Sequence, residues 1–174
     1  VFLTAWHMLV TRGELRARER VLVHGAGSGV GSAAIQIAKL KGATVFATVG
    51  SDEKLKKART LGADHVWNYS KTDFAQEVLK VTRGKGVHLV FEHIGPATWA
   101  GSIRCLQKGG RLVTCGATTG PKVELDLRFF FTKELSVLGC TMGSRRELDE
   151  VLRWVSRGRL KPVAIPQPAP EVAP

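Results

Sequence analysis

The sequence predicts an α/β fold, a doubly wound parallel sheet with helices on both faces. Three observations carry this. Short β-rich runs alternate with stretches of helical spacing from residue 20 to residue 155. Most of those runs are continuously apolar, as strands covered on both faces must be. A glycine-rich segment, Gly25-Ala26-Gly27-Ser28-Gly29-Val30-Gly31, follows directly on the first strand and opens a helix.

The elements follow in order. Residues 1–10 are mostly apolar, and Trp6, Leu9 and Val10 sit three and four apart, as on one helix face. The abrupt start at Val1 reads as a fragment, or as a start codon that encoded Val. Residues 16–20 are polar and read as a connection into a first strand that runs from residue 20 to Gly25. Residues 32–40 are strong helix formers and 43–49 are β-rich. Ser51 is placed to cap a helix that runs through Leu61. Asp52 and Glu53 would complement its first turn and Gly62 would end it. A short strand at 64–68, a helix at 74–82, a strand at 87–92, a helix at 98–106 and a strand at 110–116 come next. Residues 135–140 form the sixth strand. The last helix, 145–155, aligns Leu148, Val151, Leu152 and Val155 on one face. Residues 161–174 hold five of the seven prolines; proline fixes φ and lacks a donor, so this tail should be extended and unpacked. The expected organisation is one domain over 1–160 followed by that tail.

Composition narrows the class. At 174 residues, 44% hydrophobic and 24% charged, the chain can bury a core of its own, which excludes wholesale disorder, collagen and coiled coil. No apolar run approaches the roughly 18 residues of a membrane span, and no signal-peptide pattern opens the chain. Cys105, Cys115 and Cys140 are far apart and odd in number, which suits small buried hydrophobes in a reducing, cytoplasmic setting. Lys plus Arg exceed Asp plus Glu by 11. That surplus attracts anions, whether nucleic acid, acidic lipid or a phosphorylated small molecule, or else simply solvates the surface. The basic residues are spread along the chain and not interleaved with aromatics, so no specific nucleic-acid or membrane partner is expected.

The glycine segment carries the chemistry. Small residues between a strand and a helix let the backbone approach a pyrophosphate, and the helix N-terminus offers unpaired N–H groups there. Counting back from Gly31, Ala26 and Ser28 stand where a strict pattern has glycines, yet both are small. With Thr4-Ala5-Trp6, Leu61-Gly62-Ala63-Asp64, Gly109-Gly110-Arg111-Leu112-Val113 and Cys115-Gly116-Ala117, this segment resembles the medium-chain dehydrogenase/reductase superfamily, in its zinc-binding-dehydrogenase and quinone-oxidoreductase-like branch. The resemblance covers roughly residues 1–163. It implies a six-stranded Rossmann-type cofactor domain with strand order 3-2-1-4-5-6. The family's N-terminal catalytic domain has no counterpart in this chain, and the Pro-rich tail departs from the family pattern.

The resemblance implies a nicotinamide cofactor and hydride transfer to a quinone or conjugated carbonyl. The backbone and small side chains of Ala26, Gly27, Ser28, Gly29, Val30 and Gly31 would take the pyrophosphate. NAD enzymes commonly end the second strand with an acid for the ribose hydroxyl. Here Val49-Gly50-Ser51 carries none, and Lys54 follows one turn later. Tyr69 stands where related reductases bring a Tyr to the 2′-phosphate. Ser51, Lys54 and Tyr69 therefore favour NADP(H); Asp52 or Glu53 on the ribose would instead favour NAD. Ile94 and Gly95 would lie near the nicotinamide ribose, and Gly116 and Ala117 along the nicotinamide face. His93 invites comparison with a proton relay, but a lone His at a strand end reads first as a polar rim residue. No residue is assigned catalysis. No Cys or His spacing suggests a metal, and in zinc-using relatives the ligands come mostly from the other domain. The alternatives are the cofactor domain of a zinc-dependent alcohol dehydrogenase, or a non-catalytic NADPH-binding or nucleic-acid-binding module. A homodimer through the apolar, proline-free edge at 135–140 is also expected.

Overall fold

The computed structural model describes residues 1–163; most of the expected proline-rich tail lies outside them. Six parallel strands form one sheet in the order β3-β2-β1-β4-β5-β6, as expected. They are β1 (Arg20–Val23), β2 (Thr44–Val49), β3 (His65–Asn68), β4 (Val87–Glu92), β5 (Leu106–Thr114) and β6 (Ser136–Gly139). Successive side chains of a strand point to opposite faces, so each central strand feeds two cores. Val21, Val23, Val45, Leu89 and Phe91 pack on one side with Trp6, Leu9, Ile35 and Ile37. Leu22, Phe46, Val90 and Leu112 pack on the other with Phe74, Val78 and Ile103. This double burial is why the strands read as unbroken apolar runs.

The helices are α1 (Phe2–Trp6), α2 (Gly29–Leu40), α3 (Glu53–Thr60), α4 (Phe74–Val81), α5 (Pro96–Cys105), α6 (Leu127–Lys133) and α7 (Arg145–Ser156). A π-helical segment, His7–Arg12, prolongs α1. Several expectations need correction. α2 begins at Gly29, so the end of the glycine segment is already helix. Ser51 does not cap α3. The cap position falls to Asp52, and its carboxylate is drawn away to Asn68 at 2.6 Å and Lys71 at 2.5 Å. Pro96 opens α5, two residues early, because proline's fixed φ suits a first helical position. β5 starts at Leu106, and its pairing with β4 shifts between Val87 and Leu89, so the glycines at 109 and 110 fall within the strand. Only Val151 of the four residues aligned on α7 is buried; Val155 packs at the core margin, while Leu148 and Leu152 face outward. Of the three cysteines, Cys105 is buried and Cys115 and Cys140 are half-buried.

α6 was not foreseen. Asp126 caps it, and Glu134 closes it with φ +52, but it buries none of its residues. A helix without a buried stripe leaves no periodic signature.

One ionised side chain ties the N-terminal helices to α7. Glu147 completes a capping box, accepting from Ser144 N at 2.6 Å and Ser144 Oγ at 2.8 Å. Its other oxygen accepts from His7 Nδ1 at 2.7 Å and from the Thr11 hydroxyl. Burial would raise this carboxyl, but the bonds from Thr11, Ser144 and His7 outweigh it and hold the group down to about 2, against an ordinary 4.5. A depressed carboxyl stabilises the fold above its unfolded value, and the gain disappears as pH falls from 4.5 toward 2. Glu147→Gln should therefore cost on the order of 2 kcal/mol at neutral pH and much less near pH 2. Thermal melts of both proteins across pH 2 to 7 check this (roughly the span in which buried carboxylates titrate); a constant gap in stability contradicts it.

Candidate functional site

The sheet order places the C-terminal ends of β1 and β4 side by side, where the helices that follow them leave to opposite faces. The glycine segment grows from the first of these ends. Gly25 turns the chain at φ +57. Gly31 then packs so tightly that an added Cβ would press on the Gly25 carbonyl oxygen, with Gly25 C at 2.8 Å and Ala26 Cα at 2.9 Å. This contact brings the start of α2 up against the end of β1. Ala26 is fully buried behind the turn, its N–H bonded to Thr48 O at 2.9 Å. Ser28 caps α2, its Oγ accepting from Gly31 N at 3.0 Å. Its part is thus a helix cap as well as a small residue. Among the described residues, the N–H groups of Gly27, Gly29 and Val30 donate to no protein acceptor.

These groups face a cleft of about 490 Å³. Of the residues singled out in sequence, Gly27, Ser28, Gly29, Val30, Lys54, Tyr69 and Ile94 line it together. Lys54 lies with its stem on the turn: a Cβ at Gly27 would come within 2.6 Å of Lys54 Cδ. Among the described residues its ammonium has no carboxylate partner. Tyr69 reaches the end of β2, where a Cβ at Gly50 would stand 2.9 Å from its hydroxyl. Ser51 does not line the cleft, although the adjacent Gly50 does.

Gly95, Gly116 and Ala117 form a neighbouring group. Gly95 sits at φ +97, and a Cβ there would come within 3.6 Å of Ala117 Cα. Gly116 packs on the His93 backbone, at 3.1 Å from its carbonyl oxygen to an added Cβ. The sequence reading missed Gly50 and Thr118 in the lining. A glycine at a strand end opposite a Tyr was the available signal for Gly50. Thr118 gave none, since its place depends on how the loop after β5 folds back onto β4.

His93 also lines the cleft, packed on Gly25, with Nε2 donating to the His24 carbonyl at 3.1 Å. Burial pushes its pKa down, against the pull of that bond and of Glu92. His24 itself is fully buried and is driven down to about 4 by burial, so it is neutral at pH 7. Among the described residues no three His, Cys, Asp or Glu side chains converge as a metal requires, so these residues do not fit a zinc ion. Nor is any described helix long and apolar enough to cross a membrane.

The family model described as zinc-binding dehydrogenase matches residues 29–157. A quinone oxidoreductase of Pseudomonas aeruginosa is 37% identical over 152 residues, covering 87% of this chain and 47% of its own length. The crystal structure of an NAD-dependent alcohol dehydrogenase superposes with a TM-score of 0.88 at 47% identity, over 93% of this chain and 47% of that one. The 2-octenoyl-CoA carboxylase reductase CinF, solved in complex with NADP and 2-octenoyl-CoA, gives a TM-score of 0.85 at 29% identity, over 92% of this chain and 40% of that one. The chain thus spans less than half the length of each. A family match over residues 29–157, carried on a six-stranded sheet in the order β3-β2-β1-β4-β5-β6, makes the chain a member of the zinc-binding dehydrogenase family, as a cofactor-binding domain of the medium-chain dehydrogenase/reductase superfamily.

Proposed function

We propose that the cleft binds a nicotinamide dinucleotide, NADP(H) in preference to NAD(H). In the complete enzyme this domain would serve hydride exchange with a quinone or a conjugated carbonyl compound. The three free N–H groups and the crowded Gly31 fit a pyrophosphate, which needs donors and close backbone approach. When bound, the nicotinamide supplies the hydride chemistry. Ile94 and Gly95 would hold its ribose, and Gly116 with Ala117 would line its ring.

The observation that carries the NADP(H) preference is the unpaired Lys54 beside Gly50 and Tyr69, at a strand end without an acid. Ser51, outside the lining but next to Gly50, would have to turn toward the cleft to add a hydroxyl to the same phosphate. The rival ligand for a ribose hydroxyl, Asp52, already spends both oxygens on Asn68 and Lys71. Those two bonds also hold its carboxyl below the usual range. A second reading, the cofactor domain of an NAD-dependent alcohol dehydrogenase, is favoured by the 47% identity to the NAD-dependent alcohol dehydrogenase structure.

Titration calorimetry separates the two. Lys54→Ala should weaken NADPH about tenfold or more, as loss of a charge-assisted bond does, and leave NADH unchanged. Equal affinity of the unaltered chain for both cofactors, or an unaffected NADPH constant in the variant, favours the second reading.

We also infer that the chain pairs with a second copy through β6. This strand ends the sheet, and Val137 on it is 39% exposed. Leu127 and Phe131 of the adjacent α6 are 66% and 69% exposed, while Phe130 tucks into the core. An apolar strand edge without proline is prone to pair with its like. Val137→Pro should shift the chain to monomer in light scattering; a monomer before substitution removes the inference.

A further inference from the structure

Beneath the cleft lies a charged group that the cofactor reading does not use. Glu92 ends β4 and has no exposed surface. A buried carboxylate is costly unless it is paired or hydrogen-bonded. Here three donors meet it and a fourth hydroxyl lies beside it. Oε1 accepts from Ile94 N at 2.6 Å and Gly95 N at 3.2 Å. Oε2 accepts from Thr98 Oγ1 at 2.8 Å and lies 3.2 Å from Ser102 Oγ, whose one proton also faces Thr98 O at 2.8 Å. An ionised carboxylate offers about four lone-pair sites, and most of them are taken here.

The turn held this way has little preference of its own. Gly95 takes φ +97 and ψ −138, a conformation that side chains rarely allow. Its upper side is gripped by the loop after β5. Thr118 donates from N and Oγ1 to His93 O, at 3.3 and 2.9 Å. Thr119 does the same to Ile94 O, at 2.7 and 2.9 Å. The turn is therefore the shared floor of two segments, 93–95 and 116–120. From below, the network continues sideways. Ser102 Oγ lies 2.8 Å from His24 Nε2, and His24 Nδ1 lies 2.8 Å from Thr48 Oγ1. Thr48 and His24 stand at the ends of β2 and β1, where the Gly50 and Gly25 turns begin.

Resting on the cofactor reading above, we propose that Glu92 is a positioning residue for the nicotinamide half of the site. By fixing the N–H groups of Ile94 and Gly95, it sets the turn that would hold the ribose. Through the Thr118 and Thr119 bonds it also sets the height of Gly116 and Ala117. The adenine-side elements, Lys54 and Tyr69, have no bond to this network. Loss of Glu92 should thus be felt at one end of the cofactor and not at the other.

The test uses the chain itself with two probes, NADPH and adenosine 2′,5′-bisphosphate, which lacks the nicotinamide half. Glu92→Met keeps a similar volume but offers only a weak thioether acceptor, so it largely strands two backbone donors. It should weaken NADPH about tenfold while the bisphosphate constant changes less than about twofold. Glu92→Gln can point its oxygen at the two backbone N–H groups and its amide at the two hydroxyls, and it should restore most of the NADPH affinity. Where the Met variant does not melt cooperatively, Glu92→Asp carries the test. Its carboxylate is one methylene further from the turn, and the same one-sided loss is expected. Equal loss of both probes in a folded variant, or unchanged NADPH binding, overturns the positioning role. An unaltered chain that binds neither probe instead overturns the cofactor reading on which it rests, and the two failures are distinct.

Discussion

The site depends on one steric fact: no side chain fits at Gly31. A Cβ there would collide with the backbone of Gly25 and Ala26, so α2 can start only because this position has none. The contact closes the turn after β1 to the least length that still reverses into a helix. It leaves the first N–H groups of α2 at the cleft beyond the C-terminal ends of β1 and β4, with the positive end of the helix dipole behind them. Ser28 takes up one of these donors and leaves others open. Everything else in the cleft is arranged around that helix end. Lys54 lies across the turn because Gly27 has no side chain, and Tyr69 reaches β2 because Gly50 has none. Two absent side chains thus make room for two long ones, and a third for the backbone itself.

The surplus of positive charge takes on a sharper meaning at this cleft. Most cations of the described residues are ordinary surface groups or are matched. Lys39 faces Asp64, Arg104 faces Asp73 and Arg111 faces Glu19, and exposed pairs of the first two kinds contribute little to stability. A net charge of +11 describes long-range attraction to anions and says nothing about where they dock. Location comes from the combination of an unmatched ammonium, a helix N-terminus and a concave surface, and those coincide at Lys54.

Much of the fold was legible because the parallel sheet imposes strong sequence rules. Strands covered on both faces must be apolar throughout, and β1, β2 and β4 obey this closely enough to be read residue by residue. The glycine segment was legible for a related reason, since a run of small residues between a strand and a helix marks a tight turn with close backbone approach. What escaped the reading depends on contacts between distant parts of the chain. Asp52 abandons its helix for Asn68 and Lys71, which a local capping rule cannot anticipate. α6 packs only Phe130 against the core and fully buries no residue, so its apolar residues follow no inward stripe. Thr118 and Glu92 look unremarkable in sequence. Their roles exist only because β4 and β5 end side by side and the loop after β5 returns over the turn after β4.

The two edges of the sheet show how differently the same liability can be handled. β3 is four residues long, and its outward side chains stack with the neighbouring strand. His65 lies 4.9 Å from Phe46 and 5.9 Å from Trp67, ring centre to ring centre. The stack covers one face of the strand, and a strand of four residues offers few backbone groups for pairing at its edge. β6 is equally short but mostly exposed, and the helix before it turns phenylalanines outward beside it instead of over it. α6 is fixed by its cap at Asp126, its left-handed exit at Glu134 and the bonds from Lys133 to the Arg104 and Leu106 carbonyls, yet of its three phenylalanines only Phe130 packs against the core. Burial of apolar side chains is what ordinarily offsets the backbone entropy of ordering a helix, and here Phe129 and Phe131 stay 42% and 69% exposed.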